Sequence, residues 1–229
     1  MIKLVVFDMA GTTVYDGDAV NRCLQEALHQ RCIPATREDI NRVMGIAKPV
    51  AIRHMIDCYT ALTGTDADQE TTLIFNAFRK IMISYYRNAD EVKPIEGAEQ
   101  AFLELKALGI KVGLDTGFSR DVADTILDRF GWGVGSELVD ITVTSDEVVH
   151  GRPYPDMIYR AMELMGVEST DQVAKVGDTP SDLQEGESAN CALIIGVTEG
   201  SHTREELLPY KHTHVVENVT KVPAIVSAF

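Results

Sequence analysis

Four short segments of this chain place reactive side chains directly behind or beside glycine. They are Asp8 in DMAGTT, Thr116 in LDTGFSR, Arg152 in HGRPYP, and Asp178 with Asp182 in KVGDTPSD. Gly11, Gly117 and Gly177 permit tight turns and a close backbone approach to a ligand. Arg152 offers a planar fork suited to phosphoryl oxygens. Ser119, a plausible helix cap, and Arg120 open a helical segment whose start favours an anion. Two acids, a hydroxyl and an anion site are the equipment of phosphoryl chemistry. Any one of these motifs alone is ordinary turn chemistry; their combination is more specific.

Such groups need a scaffold that delivers them to one place. Residues 3–7 (KLVVF) form a short apolar run ending at an acid, which reads as a buried parallel strand. The pattern recurs at 111–114, 138–143 and 173–176, separated by helical periods at 97–108, 119–130, 155–165 and 181–189. Alternation of this kind predicts a Rossmann-like, doubly wound α/β sheet, in which ligands bind at the carboxyl ends of the strands. The interval 16–90 breaks the alternation, with helical candidates at 19–31, 37–43, 50–62 and 69–86 and no convincing strand. The expected organisation is therefore an α/β core of residues 1–15 and 91–229 with an inserted all-helical cap at 16–90. The tail from Val215 to Phe229 reads as a last short strand and a terminal helix.

Composition narrows the partner. The 229 residues carry 21 Lys+Arg against 35 Asp+Glu, a formal charge of −14, which disfavours nucleic acid and anionic membranes. The interval 16–90 holds 10 acids and 9 bases, so the excess of acid lies almost wholly in the remainder. Cys23, Cys32, Cys58 and Cys191 form no CxxC pair, which argues against a zinc knuckle and for reduced thiols. No run approaches a membrane span and the apolar start is too short for a signal peptide, so a soluble cytoplasmic protein acting on a small molecule is expected.

At these positions the chain resembles the haloacid dehalogenase superfamily. Its hallmarks are an Asp nucleophile after the first strand, Thr or Ser after the second, then Lys or Arg, and a GDxxxD-like acidic motif. Asp8, Thr116, Arg152 and Asp178 with Asp182 match them. The resemblance implies Mg²⁺ held by Asp8, the Ala10 carbonyl and Asp178, with Asp182 in support. It also implies phosphoryl contacts from Thr12, Gly117 and Arg152, and a homodimer. Within the superfamily the chain is similar to the phosphonatase branch, the phosphonoacetaldehyde hydrolases. Ala10 stands where most superfamily phosphatases carry an acid that protonates a departing alcohol, and Lys48 in MGIAK falls where phosphonatases carry an imine-forming lysine. Cleaving a C–P bond leaves the electrons on carbon, so it needs an electron sink rather than an oxygen-directed acid. The chain departs from that branch at Ala51, where phosphonatases have a histidine; His54 lies on a different helical face and leaves the proton shuttle unassigned.

Plainer alternatives stand beside these readings. Lys48 could be a solvated cap lysine, Arg152 a surface ion-pair partner, Met44 a helix-end packing residue, and His150 a loop residue. Asp16, Asp18, Asp146 and Asp156 read as solvated loop groups. At the level of function, a phosphomonoesterase and a non-enzymatic phosphometabolite-binding protein remain alternatives to C–P hydrolysis.

Overall fold

A computed structural model of the chain describes residues 1–43, 46–133 and 135–229. The chain starts with β1 (Leu4–Asp8), turns through residues 9–13 into the short β2 (Val14–Tyr15), and enters a helical unit. That unit comprises α1 (Ala19–His29), α2 (Arg37–Asn41), α3 (Lys48–Tyr59) and α4 (Gly64–Asn88). It returns through β3 (Lys93–Pro94), then continues with α5 (Ala98–Ala107), β4 (Lys111–Thr116), α6 (Arg120–Phe130), β5 (Ile141–Thr144) and α7 (Asp156–Met165). The last elements are β6 (Val173–Gly177), α8 (Pro180–Ser188), β7 (Leu193–Val197), α9 (Arg204–Leu207), β8 (His214–Val216) and α10 (Val222–Ala228).

Six strands form one parallel sheet in the order β5-β4-β1-β6-β7-β8. The chain steps outward from β1 to β4 and β5, then crosses back to build the other half from β6. This is the doubly wound topology expected from the alternation. Side chains alternate between the two faces of each strand, and the two faces bury separate apolar clusters. Val5, Phe7, Val112, Leu114, Val176 and Ile195 pack with α5, α6 and α10, whereas Leu4, Val6, Val143, Val173 and Ile194 pack with α7 and α8. By the same alternation Asp8, Asp115 and Lys175 share the parity of the second face.

The helical elements differ from expectation mainly at their ends. α3 starts at Lys48 with Pro49 in its first turn, a favourable place for proline because the missing N–H has no intrahelical partner there. α4 runs to 25 residues. β5 begins only at Ile141 because Asp140 breaks the predicted 138–143 strand, its carboxylate accepting the Val112 N–H at 2.8 Å. β7, a five-residue apolar run between Ala192 and Thr198, escaped the sequence reading, although runs as short at 111–114 and 173–176 read as strands.

Two connections join the helical unit to the sheet, and they pair with each other as the antiparallel ribbon β2–β3. α4 also lies against α6. Arg79 grips Asp121 with two bonds of 3.2 and 2.6 Å, and Arg129 donates to the Tyr86 and Ala89 carbonyls, both at 2.7 Å. A cation at these last carbonyls suits the negative end of the helix.

Asp16, expected as a solvated loop group, is instead buried at this junction. Its Oδ2 accepts the Tyr86 hydroxyl at 2.6 Å and its Oδ1 the Asp18 N–H at 3.1 Å; burial raises its pKa. Asp18 pairs with Arg37 at 2.6 Å, and Asp156 accepts the His150 N–H at 3.1 Å, so these two are also tied. Tyr86→Phe should therefore cost about 1–3 kcal/mol, the penalty for stripping a donor from a buried acceptor. Urea denaturation checks this; an unchanged midpoint would show that Asp16 is satisfied without Tyr86.

Candidate active site

Asp8 ends β1 and its neighbours build a tight loop behind it. The Thr13 and Val14 N–H groups both donate to the Met9 carbonyl, at 2.9 and 2.8 Å, and the Thr13 hydroxyl donates to the Asp8 carbonyl at 2.9 Å. Gly11 adopts φ +85°, and a Cβ there would press on the Asp178 carboxylate, so the position serves both the turn and the close approach of β6's following loop. Thr12 turns its hydroxyl to Asp178 Oδ1 at 3.1 Å. Asp178 Oδ2 accepts the Ser201 N–H and hydroxyl, both at 2.7 Å.

Asp8, Asp178 and Asp182 bring carboxylate oxygens within 4.8 Å of one another, all buried. Burial raises the pKa of Asp8 to about 8, Arg152 opposes the shift, and the Asp182 and Asp178 charges add to it. Burial and Asp182 likewise raise Asp178. Three buried acids crowded together fit a hard divalent cation, whose charge would oppose both shifts.

Arg152 is buried rather than the surface partner of the plainer reading. Its guanidinium meets Asp8 at 2.6 Å, Asp182 at 3.1 Å and Glu185 at 3.1 Å, and also pairs with Asp115. Lys175, in the middle of β6, pairs with Asp115 at 2.6 Å, Glu185 at 2.9 Å and Asp182 at 3.2 Å. Asp182 closes the cluster from α8, where its other oxygen accepts the Thr179 N–H and hydroxyl in a capping box. A Cβ on Gly177 would overlap the Asp182 side chain, which explains the glycine at the end of β6.

The sequence reading missed Lys175, Asp115, Glu185 and Ser201. A lysine inside the apolar run VAKV and an acid at the end of KVGLD were the available signal, since a charge in a buried strand requires a partner. Two cations here face five carboxylates, Asp8, Asp115, Asp178, Asp182 and Glu185.

A cavity of about 650 Å³ opens over this edge of the sheet. Asp8, Ala10, Thr116, Gly117 and Arg152 line it from below, and Lys48 lines it from the helical unit. Thr116 accepts the Phe118 N–H at 3.2 Å through its hydroxyl oxygen. Lys48 is only 5% exposed, so it is not a solvated lysine. Its Nζ donates to the Ile46 carbonyl at 3.3 Å, and burial, reinforced by the positive charge of Arg152, lowers its pKa to about 8. Ala51 packs in the core of the helical unit. His54 is exposed and meets Cys58 at 3.6 Å, and His150 lies exposed in its loop. Met44 and Gly45 lie outside the described residues.

The anion site expected where Ser119 and Arg120 open α6 is already filled. The Asp146 carboxylate accepts the Arg120 N–H at 3.0 Å, so Asp146 is a cap rather than a free loop acid, and the Ser119 hydroxyl donates to Asp121 at 2.6 Å. Among the described residues no helix is long and apolar enough to cross a membrane, and all four cysteines are free thiols.

A family model for haloacid dehalogenase-like hydrolases matches residues 2–190. A phosphonoacetaldehyde hydrolase of Bacillus cereus is 32% identical over 220 residues, covering 90% of this chain and 81% of the relative. Among solved structures, a phosphonoacetaldehyde hydrolase-like protein from Oleispira antarctica superposes with TM-score 0.83 at 22% identity, over 99% of this chain and 92% of the other. A predicted phosphoglycolate phosphatase from Haemophilus somnus gives 0.81 at 20% identity, over 98% and 97%. These two structures share the fold.

The pKa of Glu185 is pushed up to about 8 from an ordinary value near 4.5, by burial and then by Asp115. Folding therefore takes up a proton at this site. Its contribution to stability is full below about pH 4.5 and is lost as pH rises towards 8. Glu185→Gln has no proton to take up, so its unfolding free energy should vary less between pH 5 and 8 than that of the wild type. Denaturant titrations across that range test this; parallel pH profiles would refute the shift.

Proposed function

From a chain that belongs to the haloacid dehalogenase-like hydrolases, we propose a Mg²⁺-dependent phosphonatase-like activity that splits phosphonoacetaldehyde, or a related phosphonate, into an aldehyde and phosphate. The observation that carries the reading is the buried Lys48 amine in one cavity with Asp8. It is supported by Ala10 at the position two residues past Asp8, which has no proton for an alcohol leaving group, and by the Bacillus cereus relative.

The Lys48 amine adds to the substrate aldehyde and, with one proton taken from solvent, water leaves to give a protonated imine. Asp8 attacks phosphorus, the C–P bond breaks, and its electron pair moves into the iminium to form an enamine. Water then hydrolyses the aspartyl-phosphate to phosphate and the enamine to the product aldehyde. Thr116, the backbone near Gly117 and Arg152 hold the phosphoryl oxygens, with Arg152 already seated on Asp8, whereas Thr12, expected among them, turns its hydroxyl to Asp178 instead. Mg²⁺ held by Asp8, Asp178 and the Ala10 carbonyl, with Asp182 behind them, supplies positive charge that offsets repulsion between Asp8 and the phosphoryl dianion. The helical unit excludes water from the cavity, as lids do.

Two predictions follow from the two halves of this chemistry. Incubation with phosphonoacetaldehyde and borohydride should leave a reduced adduct on Lys48, found by peptide mass spectrometry, and Lys48→Arg should lose cleavage while keeping its charge. Because the neutral amine is the nucleophile, wild-type kcat/KM should rise with pH through about 8. If no adduct forms and Lys48→Arg cleaves its best substrate normally, a phosphomonoesterase is the better reading. For the phosphoryl half, Asp8→Asn should abolish turnover, and exhaustive chelation of the wild type should do so until Mg²⁺ is restored. Activity that survives chelation removes the metal from the scheme.

A further inference from the structure

Imine formation moves protons. The attacking nitrogen must lose one as it adds to the carbonyl, and the carbinolamine oxygen must gain one before it leaves as water. Position 51, one turn past Lys48, is an alanine buried in the core of the helical unit, so the proton carrier must come from elsewhere around the cavity. Several titratable groups there are already committed. Asp16 accepts from Tyr86, Asp18 pairs with Arg37 and Glu38 with Arg42, both at 2.6 Å, and Glu206 caps α9 by accepting the Thr203 N–H at 2.8 Å, while Tyr15 and Glu199 are exposed with no side-chain hydrogen bond among the described residues to orient them.

His202 is different. It is half-buried, lines the same cavity as Asp8 and Lys48, and stands in the loop between β7 and α9. That loop is seated hard against the site, since a Cβ on Gly200 would overlap both the Asp178 carboxylate and the Gly11 carbonyl. The ring is oriented through Ser201, whose hydroxyl lies 2.9 Å from His202 Nδ1 and 2.7 Å from Asp178 Oδ2. A hydroxyl has one proton, and here it goes to the carboxylate. Nδ1 must then carry the ring proton and donate to the serine oxygen. The neutral ring is left with a lone pair on Nε2, which has no hydrogen-bond partner among the described residues.

We infer that His202 is the proton carrier for amine addition at Lys48, with Ser201 and Asp178 setting its tautomer; the inference rests on the phosphonatase-like reading. Nε2 takes the proton released when the Lys48 nitrogen bonds to the aldehyde carbon. A solvent proton converts the alkoxide to the carbinolamine hydroxyl, and the imidazolium then gives its proton to that hydroxyl, which departs as water and leaves the protonated imine, so the ring ends as it began. An imidazole suits the task because it takes and returns protons near neutrality. This assignment moves the carrier from the helical unit to the core, beside the metal-binding acids.

The experiment compares wild type, His202→Ala and His202→Gln in the full chain with Mg²⁺ present. Borohydride trapping of phosphonoacetaldehyde on Lys48 is timed in each, alongside turnover and the inhibition constant of inorganic phosphate. Both variants should trap the adduct and turn over roughly 10²–10⁴-fold more slowly, the usual weight of a general acid–base group. Phosphate inhibition should stay within about twofold, and added imidazole should restore part of the rate of His202→Ala. Trapping and turnover at wild-type rates in His202→Ala would overturn the inference alone. So would a loss that imidazole leaves untouched while phosphate inhibition weakens, because His202 would then act by supporting Ser201 and Asp178. A wild type that forms no adduct overturns the phosphonatase-like reading and this inference with it.

Discussion

Arg152 stands where four carboxylates converge, from β1, from β4 and twice from α8, and the site depends on that convergence. Each acid would be costly to bury alone, and so would the guanidinium. Together with Lys175 they form a network in which the floor of the cavity is also a clamp between strands and helix. Removing one partner from such a network leaves an uncompensated buried charge, which typically costs about 3–5 kcal/mol. In the proposed chemistry the same geometry has a second use, because the guanidinium that neutralises Asp8 lies beside the place where a phosphoryl group would meet it. Stability and the proposed catalysis would therefore constrain the same side chain.

Charge imbalance explains the rest of the floor. Five carboxylates against two cations leave an excess that must be met by protons or by a metal. The two solutions fall on different sides of Arg152. Glu185, deep against β6 and away from the cavity, has its pKa raised and can keep a proton. Asp8, on the cavity floor, and Asp178 beside it are where a divalent cation can replace protons. Gly177, Gly11 and Gly200 then become intelligible as places where a side chain would collide with Asp182 or Asp178. The acids need close approach from three loops at once.

The helical unit is joined to this floor by a paired ribbon rather than by loose linkers, and Asp16 with Tyr86 locks the ribbon to α4. Arg79 and Arg129 further tie α4 to α6. A lysine at the start of α3 is thus carried on a well-braced element, and burial over the cavity alters its chemistry. Desolvation and the nearby guanidinium both favour the neutral amine, so Lys48 and Arg152 influence one another across the cavity.

The sheet and its functional edge were legible in the sequence because apolar runs ending in acid and glycine are local features, and strand alternation carries them to the carboxyl edge. Asp8, Thr116 and Asp178 were found that way, and Arg152 and Lys48 through their motifs. Element ends were less legible: Asp140 cut β5 short through a bond to another strand, and the apolar run of β7 went unread. What only the tertiary structure decided is which charges face which. That Lys175 answers Asp115 and Glu185, that Asp16 is buried under Tyr86, and that Asp146 rather than a ligand caps α6 all follow from contacts between residues far apart in the chain. Hydrophobic periodicity reports which way a side chain faces, whereas the pairing of buried charges depends on three-dimensional register, to which local sequence pattern is blind.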